Sequence, residues 1–139
     1  MSRIQLALNV GNVDDAVEFY RKLFGTEPAK RRPGYANFAI AEPPLKLVLI
    51  ENAKNAGSFN HLGVEVETAD EVKIANDRLQ SMGLVPQTED NINCCYAKQD
   101  KVWVIDPDGA PWEIYTVLEH TESMARESRD EQTACAQCG

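Results

Sequence analysis

Alternating apolar and polar residues open the chain and predict a β-strand. In residues 4–10 an apolar side chain recurs at every second position, which places these side chains on one face. Residues 11–15 supply turn and helix-capping side chains, and apolar residues then recur at helical spacing until Gly25. Strand candidates follow near residues 28–31, 35–40 and 45–50. The first half is therefore predicted to be a β-α-β-β-β unit.

The same order of elements is predicted again after a polar linker at residues 52–58. Residues 60–66 alternate like the first strand, and a second helical pattern ends at Gly83. Further strands are predicted from residue 84, within residues 95–105 and over residues 112–117. This weak internal repeat has an offset of 56 residues, which aligns Gln5 with His61.

These patterns predict an α+β fold in one domain, residues 1–118. Two tandem βαβββ modules, about residues 1–51 and 59–118, are expected to form a cupped mixed sheet. Residues 119–139 are polar and charged, and we expect a disordered tail. The tail carries Cys135 and Cys138 in a single C-x-x-C, which fits half a zinc site, a redox pair or no site at all.

Composition and charge exclude some functions. The chain has 14 Lys and Arg against 22 Asp and Glu, a formal charge of −8, so no basic surface is available for nucleic acid. No apolar run approaches the roughly 18 residues that span a bilayer, and no signal-peptide pattern precedes the first strand. We therefore expect a cytoplasmic protein without a membrane partner, whose four cysteines are reduced.

Two adjacent cysteines, Cys94 and Cys95, precede an apolar strand candidate. Thiolates prefer soft metals and metalloids over hard cations, so a neighbouring pair can present two sulfurs to one thiophilic atom. Two alternatives are a pair of inert buried thiols and a strained disulfide between neighbours. The pair alone does not decide between them.

The duplicated units and the sequence of residues 106–115 resemble the vicinal oxygen chelate (glyoxalase/bleomycin resistance/extradiol dioxygenase) superfamily over roughly residues 3–117. The resemblance implies a divalent metal held by the first and last strands of each unit. Carried over by position, its ligands are Gln5, His61 and Glu113. A fourth position falls on Leu47 or Leu49, neither of which can be a ligand.

The residue pattern agrees with this ligand set. Gln5, His61 and Glu113 each lie beside large apolar residues in a strand, so their side chains should point to the opposite face. Buried polar groups without partners cost about 1–3 kcal/mol each, and a shared metal would satisfy all three. The alternative is that Gln5 and His61 are ordinary hydrogen-bonded interior residues and that Glu113 faces solvent.

The donor types limit the metal. An imidazole, a carboxylate and an amide oxygen leave coordination positions open, as in nonheme Fe(II) oxygenases. Extradiol-type enzymes usually carry His where this chain has Gln5. Fe(II) is the expected metal, and the amide donor leaves Mn²⁺, Ni²⁺ and Zn²⁺ open.

Within the superfamily, the chain resembles the organoarsenical carbon–arsenic lyases (ArsI) and the related cadmium-induced proteins (CadI). The segments that carry the resemblance are residues 5–10, 33–40, 45–50, 60–66, 94–104 and 112–117. It implies an Fe(II)-dependent, dioxygen-using lyase that removes a methyl or aryl group from trivalent organoarsenicals such as methylarsenite. Cys94 and Cys95 would bind the arsenic. The expected pocket residues are Tyr96, Lys101, Tyr35 and Trp103.

Other functions remain open at this point. The different-class alternative is a binding protein that sequesters arsenic, antimony or cadmium without turnover. A glyoxalase or glutathione-transfer activity is disfavoured because the fourth ligand position offers no carboxylate for proton abstraction. Cys135 and Cys138 are expected to be mobile tail thiols that collect arsenic or a metal and deliver it to the pocket. The resemblance allows a monomer or a homodimer.

Overall fold

The computed structural model describes residues 2–122, so the predicted tail thiols Cys135 and Cys138 lie outside the described residues. Within this range no helix is long and apolar enough to cross a bilayer. The elements are β1 Arg3–Val10, α1 Val13–Phe24, β2 Lys30–Arg32, β3 Tyr35–Ile40, β4 Leu45–Glu51, a 3₁₀ helix Ala53–Asn55, β5 Phe59–Glu65, α2 Ala69–Ser81, β6 Gln87–Cys94, β7 Ala97–Ile105 and β8 Pro111–His120. This order confirms the predicted α+β fold of two βαβββ modules.

The first compact unit comprises residues 3–62. Its strands are hydrogen-bonded in the order β2-β3-β4-β1, with the start of β5 next to β1. β1 and β4 are parallel, whereas β3 is antiparallel to β4. One face of these strands packs against α1 in a core that includes Val17, Phe38, Leu47 and Leu49. The opposite face carries the buried polar residues of β1.

Local chemistry fixes both ends of α1. The Asn12 side chain accepts a hydrogen bond from Asp15 N at 2.9 Å, which caps the first turn. Gly25 ends the helix with φ 62°, a left-handed conformation that costs a glycine nothing. On the exposed side, a hydrogen bond from the Arg21 guanidinium lowers the pKa of Glu18.

The second compact unit begins at Gly63. The end of β5 is followed across the sheet by β8, β7 and β6, and β7 is antiparallel to both of its neighbours. Helix α2 covers one face, where Val72, Leu79 and Val102 form a buried cluster. The other face of β6, β7 and β8 carries Cys94 and buried polar side chains beside the rings of Trp103 and Tyr115.

Some boundaries differ from the predicted ones. β6 begins at Gln87 rather than at residue 84, because Val85 is 89% exposed and Pro86 has no N–H for a ladder hydrogen bond. β2 is shorter than expected and comprises Lys30–Arg32. β8 continues to His120, two residues past the expected end of the domain at residue 118.

Candidate functional site

The two adjacent cysteines lie in a β-hairpin. Cys94 pairs with Ala97 at the ends of β6 and β7, so Cys95 and Tyr96 form a two-residue turn. Their φ angles are 54° and 62°, and turns with two left-handed residues match the twist of antiparallel strands. Residues with a side chain pay about 1–2 kcal/mol each for this conformation. The backbone strain therefore falls on Cys95 and Tyr96, one of the two cysteines and its neighbour, and such strain is common at functional sites.

Hydrogen bonds hold this hairpin turn from two sides. Gln99 Nε2 donates to the Cys94 carbonyl oxygen at 2.8 Å. Thr121 N donates to the Tyr96 carbonyl oxygen at 2.8 Å, and the Thr121 hydroxyl donates to Asn93 Oδ1. No sequence pattern pointed to Gln99 or Thr121 as supports of the turn, because the contacts depend on strand register.

The spacing of the two sulfurs suits a single shared atom. Cys94 Sγ lies 3.5 Å from Cys95 Sγ, whereas a disulfide between the two would need about 2.05 Å. Cys94 is disulfide-bonded, though not to Cys95, so the expectation that all four cysteines are reduced is wrong for Cys94 in this structure. If each sulfur bonds one common atom at about 2.3 Å, as in zinc thiolates, this separation corresponds to an S–atom–S angle of about 100°. That angle is ordinary for a pyramidal trivalent centre. Cys94 is fully buried and Cys95 is half-buried.

Gln5 and His61 come together in the first unit. Both are only 3% exposed, and Gln5 Nε2 lies 3.2 Å from His61 Nε2. The other ring nitrogen, His61 Nδ1, lies 2.8 Å from Asn60 Oδ1. The predicted pair of interior polar residues is therefore present on the face of β1 and β5 away from α1.

A chain of side-chain hydrogen bonds fixes the tautomer of His61. Asn60 Nδ2 donates to Asn9 Oδ1 at 3.1 Å, and Asn9 Nδ2 donates to Ser58 Oγ at 3.0 Å. The Ser58 hydroxyl in turn donates to the Asn55 carbonyl at 2.6 Å. Because Asn60 must then present its oxygen to His61, the proton of a neutral imidazole sits on Nδ1 and the lone pair on Nε2. Histidines that bind metals are oriented in this way.

Glu113 lies in the second unit, buried beside a cation. Its Oε2 accepts a hydrogen bond from Lys101 Nζ at 2.9 Å, and both side chains are at most 3% exposed. Lys101 Nζ also lies 5.3 Å from the centre of the Trp103 ring and 5.8 Å from that of Tyr115. This burial excludes a solvent-facing Glu113.

The remaining expected pocket residues are also buried. Tyr35 lies in the first unit, where its hydroxyl oxygen accepts a hydrogen bond from Asn37 Nδ2 at 3.0 Å. Trp103 Nε1 donates to Glu89 Oε1 at 2.8 Å in the second unit. Tyr96 is buried at the second position of the hairpin turn.

The expected fourth ligand position was wrong by one residue. β1 and β4 are paired so that Leu6 is beside Leu47 and Leu8 beside Leu49, which points both leucines of β4 towards α1. The neighbour of Gln5 on β4 is Lys46. Strand side chains alternate between faces, so a one-residue error in register moves a side chain to the other face.

The side-chain types of Gln5, His61 and Glu113 determine whether a metal could bind to them. Within residues 2–122, no three His, Cys, Asp or Glu side chains cluster as a metal site. The expected set has only two residues of these types, His61 and Glu113, together with the amide of Gln5. The imidazole of His61 and the carboxylate of Glu113 are donor types that suit a divalent cation, and the lone pair on His61 Nε2 accepts a hydrogen bond from Gln5 Nε2 in this structure.

A cavity of about 380 Å³ lies in the second unit on the α2 side of β6 and β7. Its lining is mainly polar and charged. The lining residues are Ala69, Asp70, Val72, Lys73, Asn76, Thr88, Asp90 and Asp100. None of the expected site residues lines it, so this cavity is separate from the face that carries Cys94.

The repeated βαβββ units and their buried polar strand residues define a known class of protein. Residues 3–114 match the Glyoxalase/Bleomycin resistance protein/Dioxygenase superfamily, and the chain belongs to this superfamily. Among its relatives is a trivalent organoarsenical cleaving enzyme of Thermomonospora curvata, 54% identical over 97% of this chain and 89% of the relative. A cadmium-induced protein CadI of Mycobacterium tuberculosis is also 54% identical, over 96% of this chain and 88% of the relative.

Similarity to solved structures extends to more distant members with the same fold. A Mn(II)-bound glyoxalase from Novosphingobium aromaticivorans gives a TM-score of 0.60 at 16% identity, covering 88% of this chain and 42% of that one. An extradiol ring-cleaving dioxygenase from B. fuscum gives 0.61 at 20% identity, covering 86% and 33%. At these identities the likeness concerns the fold alone.

Proposed function

We propose that the protein is an enzyme that cleaves the carbon–arsenic bond of trivalent organoarsenicals, such as methylarsenite, and releases arsenite. The observation that carries this proposal is the 3.5 Å spacing of the Cys94 and Cys95 sulfurs at a braced hairpin turn. It is supported by relatives named as trivalent organoarsenical cleaving enzymes at 54% and 37% identity.

Each group of residues has a role in this proposal. Cys94 and Cys95 replace two oxygens of the substrate by sulfur and so hold the arsenic beside the reacting carbon. Fixing a reactant in this way turns a bimolecular encounter into an effectively unimolecular step. Tyr96 lines the substrate side of the turn. Lys101 keeps a positive charge in the same buried face, next to Glu113.

Gln5, His61 and Glu113 are the proposed ligands of a divalent metal. Fe(II) is the preferred candidate, and Mn²⁺, Ni²⁺ and Zn²⁺ are the alternatives that the amide donor leaves open. When bound, the metal would supply activation of dioxygen, the second substrate. His61 offers the lone pair of Nε2 because Asn60 holds the proton on Nδ1. A reaction that needs reduced thiols fits a cytoplasmic enzyme.

A direct assay tests the proposed reaction. Reduced protein is incubated with Fe(II), a thiol reductant and methylarsenite in air, and the arsenic species are separated by chromatography over time. We expect arsenite in many-fold excess over protein. Cys94→Ala and Cys95→Ala should each abolish substrate capture while still binding the metal. Absence of arsenite from the wild type would contradict the proposal.

The second candidate function is sequestration without turnover of arsenic, antimony or cadmium. The observation in its favour is that the sulfur spacing alone suffices to bind a thiophilic atom, and relatives at 54% identity are named cadmium-induced. The same assay separates the two functions. Retention of one arsenical per protein, with no arsenite formed, supports sequestration.

A further inference from the structure

The Lys101 ammonium has two carboxylates within reach on one face of the second unit. Its Nζ donates to Glu113 Oε2 at 2.9 Å, and both side chains are at most 3% exposed. Glu113 lies diagonally across the pair of β7 and β8, since its direct partner on β7 is Trp103. On the other side of β7, the residue directly opposite Lys101 is Glu89 of β6. No role described so far uses the charge of Glu89.

Strand geometry brings Glu89 close to the lysine side chain. Directly opposed residues of an antiparallel pair share a face and have Cβ atoms about 5 Å apart, whereas diagonal neighbours are about 7–8 Å apart. Lys101 therefore spans the longer distance when it binds Glu113, although Glu89 occupies the nearer strand position. The flexible four-carbon stem of a lysine can serve both partners.

The Trp103 ring contacts both ends of the path between the two carboxylates. Lys101 Nζ lies 5.3 Å from the centre of the ring, which is within the range of a cation–π contact. The indole Nε1 donates to Glu89 Oε1 at 2.8 Å and so fixes the position of that carboxylate. An ammonium that moves from Glu113 to Glu89 therefore stays beside an aromatic ring, and this lowers the cost of the move.

Binding of a divalent cation to Glu113 would change the balance between the two partners. The ammonium and the metal would then share one buried carboxylate, and like charges at that range repel strongly where water is scarce. Glu89 is half-buried and carries its own negative charge. It can therefore compensate the ammonium of Lys101 at a greater distance from the metal.

We propose that Lys101 competes with the metal for Glu113 and that Glu89 receives the ammonium when the metal binds. The inference rests on the proposed function, in which Glu113 is a metal ligand. Glu89 is a positioning residue, because it acts on the metal site through Lys101. The exchange keeps every buried charge on this face compensated both before and after the metal is bound.

Calorimetric titration of reduced, chelator-treated protein with Mn²⁺ under argon tests this inference. Lys101→Met removes the competitor, so its affinity for Mn²⁺ should rise by at least about tenfold. Glu89→Gln keeps an oxygen that accepts from Trp103 Nε1 but removes the charge that receives the ammonium, so the affinity should fall by about tenfold. Asp90→Asn removes the same charge from the exposed neighbour on β6 and should change the affinity by less than about threefold.

The double variant of Lys101→Met and Glu89→Gln separates exchange from a merely structural role of Glu89. Without the ammonium, Glu89 acts on the metal only through its charge, two strands away, so Glu89→Gln should now lower the affinity by about threefold or less. An equal loss in both backgrounds would mean that Glu89 only holds Trp103 in place, and it overturns the inference.

The sign of the Lys101→Met effect is equally decisive. If the lysine orients Glu113 for the metal instead of competing with it, Lys101→Met lowers the affinity for Mn²⁺. That result, or an unchanged affinity, overturns the inference. Lys101→Gln replaces Lys101→Met if the first variant does not fold, because it also removes the charge and can still donate a hydrogen bond to Glu113.

The experiment distinguishes failure of this inference from failure of the proposed function. His61→Ala should lose most of the affinity for Mn²⁺, which locates the titrated ion at the proposed site. A wild type that binds no Mn²⁺, or binds it equally well after His61→Ala, overturns the metal site and the exchange together. Binding by the wild type at this site, with no gain in Lys101→Met, overturns only the exchange and leaves the cleavage of methylarsenite to its own assay.

Discussion

A buried lysine is costly unless a negative charge compensates it, and Lys101 shows how this chain provides one. Its ammonium is 2% exposed and is paired with Glu113 at 2.9 Å. The rings of Trp103 and Tyr115 add favourable electrostatic contacts. The Lys101 ammonium thus offsets the cost of burying the Glu113 carboxylate in a place that water hardly reaches.

Removal of one partner of this pair should destabilise the protein strongly. We expect Lys101→Met to lower the free energy of unfolding by about 3–5 kcal/mol, because the Glu113 carboxylate is left buried without its cation. Urea denaturation measures the change. The double variant with Glu113→Gln should recover most of the loss, and Lys73→Met on the exposed side of α2 should change stability by less than about 0.5 kcal/mol. A fully stable Lys101→Met protein would contradict this account.

The tautomer of His61 leads to a second prediction about a single residue. Asn60→Leu removes the acceptor that holds the proton on Nδ1, so Nε2 loses its fixed lone pair. We expect the affinity for Mn²⁺, measured by calorimetry without dioxygen, to fall by about 10–100-fold. Ser58→Ala, farther along the same chain of hydrogen bonds, should have a smaller effect. Equal effects of the two variants would argue against control of the tautomer.

Individual residues differ in how well sequence could place them. The burial of Gln5 and His61 follows from apolar neighbours in alternating strands, which is a local signal. The roles of Gln99 and Asn60 depend on hydrogen bonds whose partners are chosen by strand pairing or side-chain rotamer. No spacing rule contains that information. The error at Leu47 has the same origin, because the face of β4 depends on its register with β1.

At the scale of elements, α2 owes its first turn to a capping box. The Thr68 hydroxyl accepts a hydrogen bond from Glu71 N, and the Glu71 carboxylate accepts one from Thr68 N at 3.1 Å. The apolar side of the helix then packs Val72 and Leu79 against β7. This helix covers the face of the second unit opposite the thiol pair.

Loss of the cap should therefore weaken the whole second unit modestly. We expect Thr68→Ala to reduce the free energy of unfolding by about 1 kcal/mol, since the Thr68 hydroxyl that accepts from Glu71 N is lost, whereas the backbone N–H that donates to the Glu71 carboxylate is kept. Thermal or urea unfolding measures the change, with Thr88→Ala on an exposed strand position as the comparison. If Thr68→Ala has the stability of the wild type, the first turn of α2 does not contribute to the stability of the fold.

Helices and strands were largely predictable, whereas turns were less so. Period-two and helical patterns located both helices and the strands β1, β3, β4 and β5. The hairpin turn at Cys95 and Tyr96 was not predictable, because neither residue favours the left-handed conformation that both adopt. The pairing of Cys94 with Ala97 leaves only these two residues for the turn, and the twist of the paired strands overrides their local preference.

At the scale of the whole molecule, a bound metal should stabilise the folded chain by mass action. A cation at 100 times its Kd adds about 2.7 kcal/mol, which for 139 residues corresponds to a rise in Tm of roughly 9 °C. Scanning calorimetry with Mn²⁺ under argon measures the shift. His61→Ala should remove most of it. An equal shift in wild type and variant would place the metal elsewhere.

The adjacency of Cys94 and Cys95 has the opposite consequence for arsenic. Two thiols that are neighbours in the chain stay neighbours when the protein is denatured, so an arsenical can bridge them in either state. Ligands that bind both states cancel much of their own contribution to the folding equilibrium. Even nanomolar capture would then register as only a slight increase in melting temperature, and a thermal-shift screen would overlook the very compound that this hairpin holds most tightly.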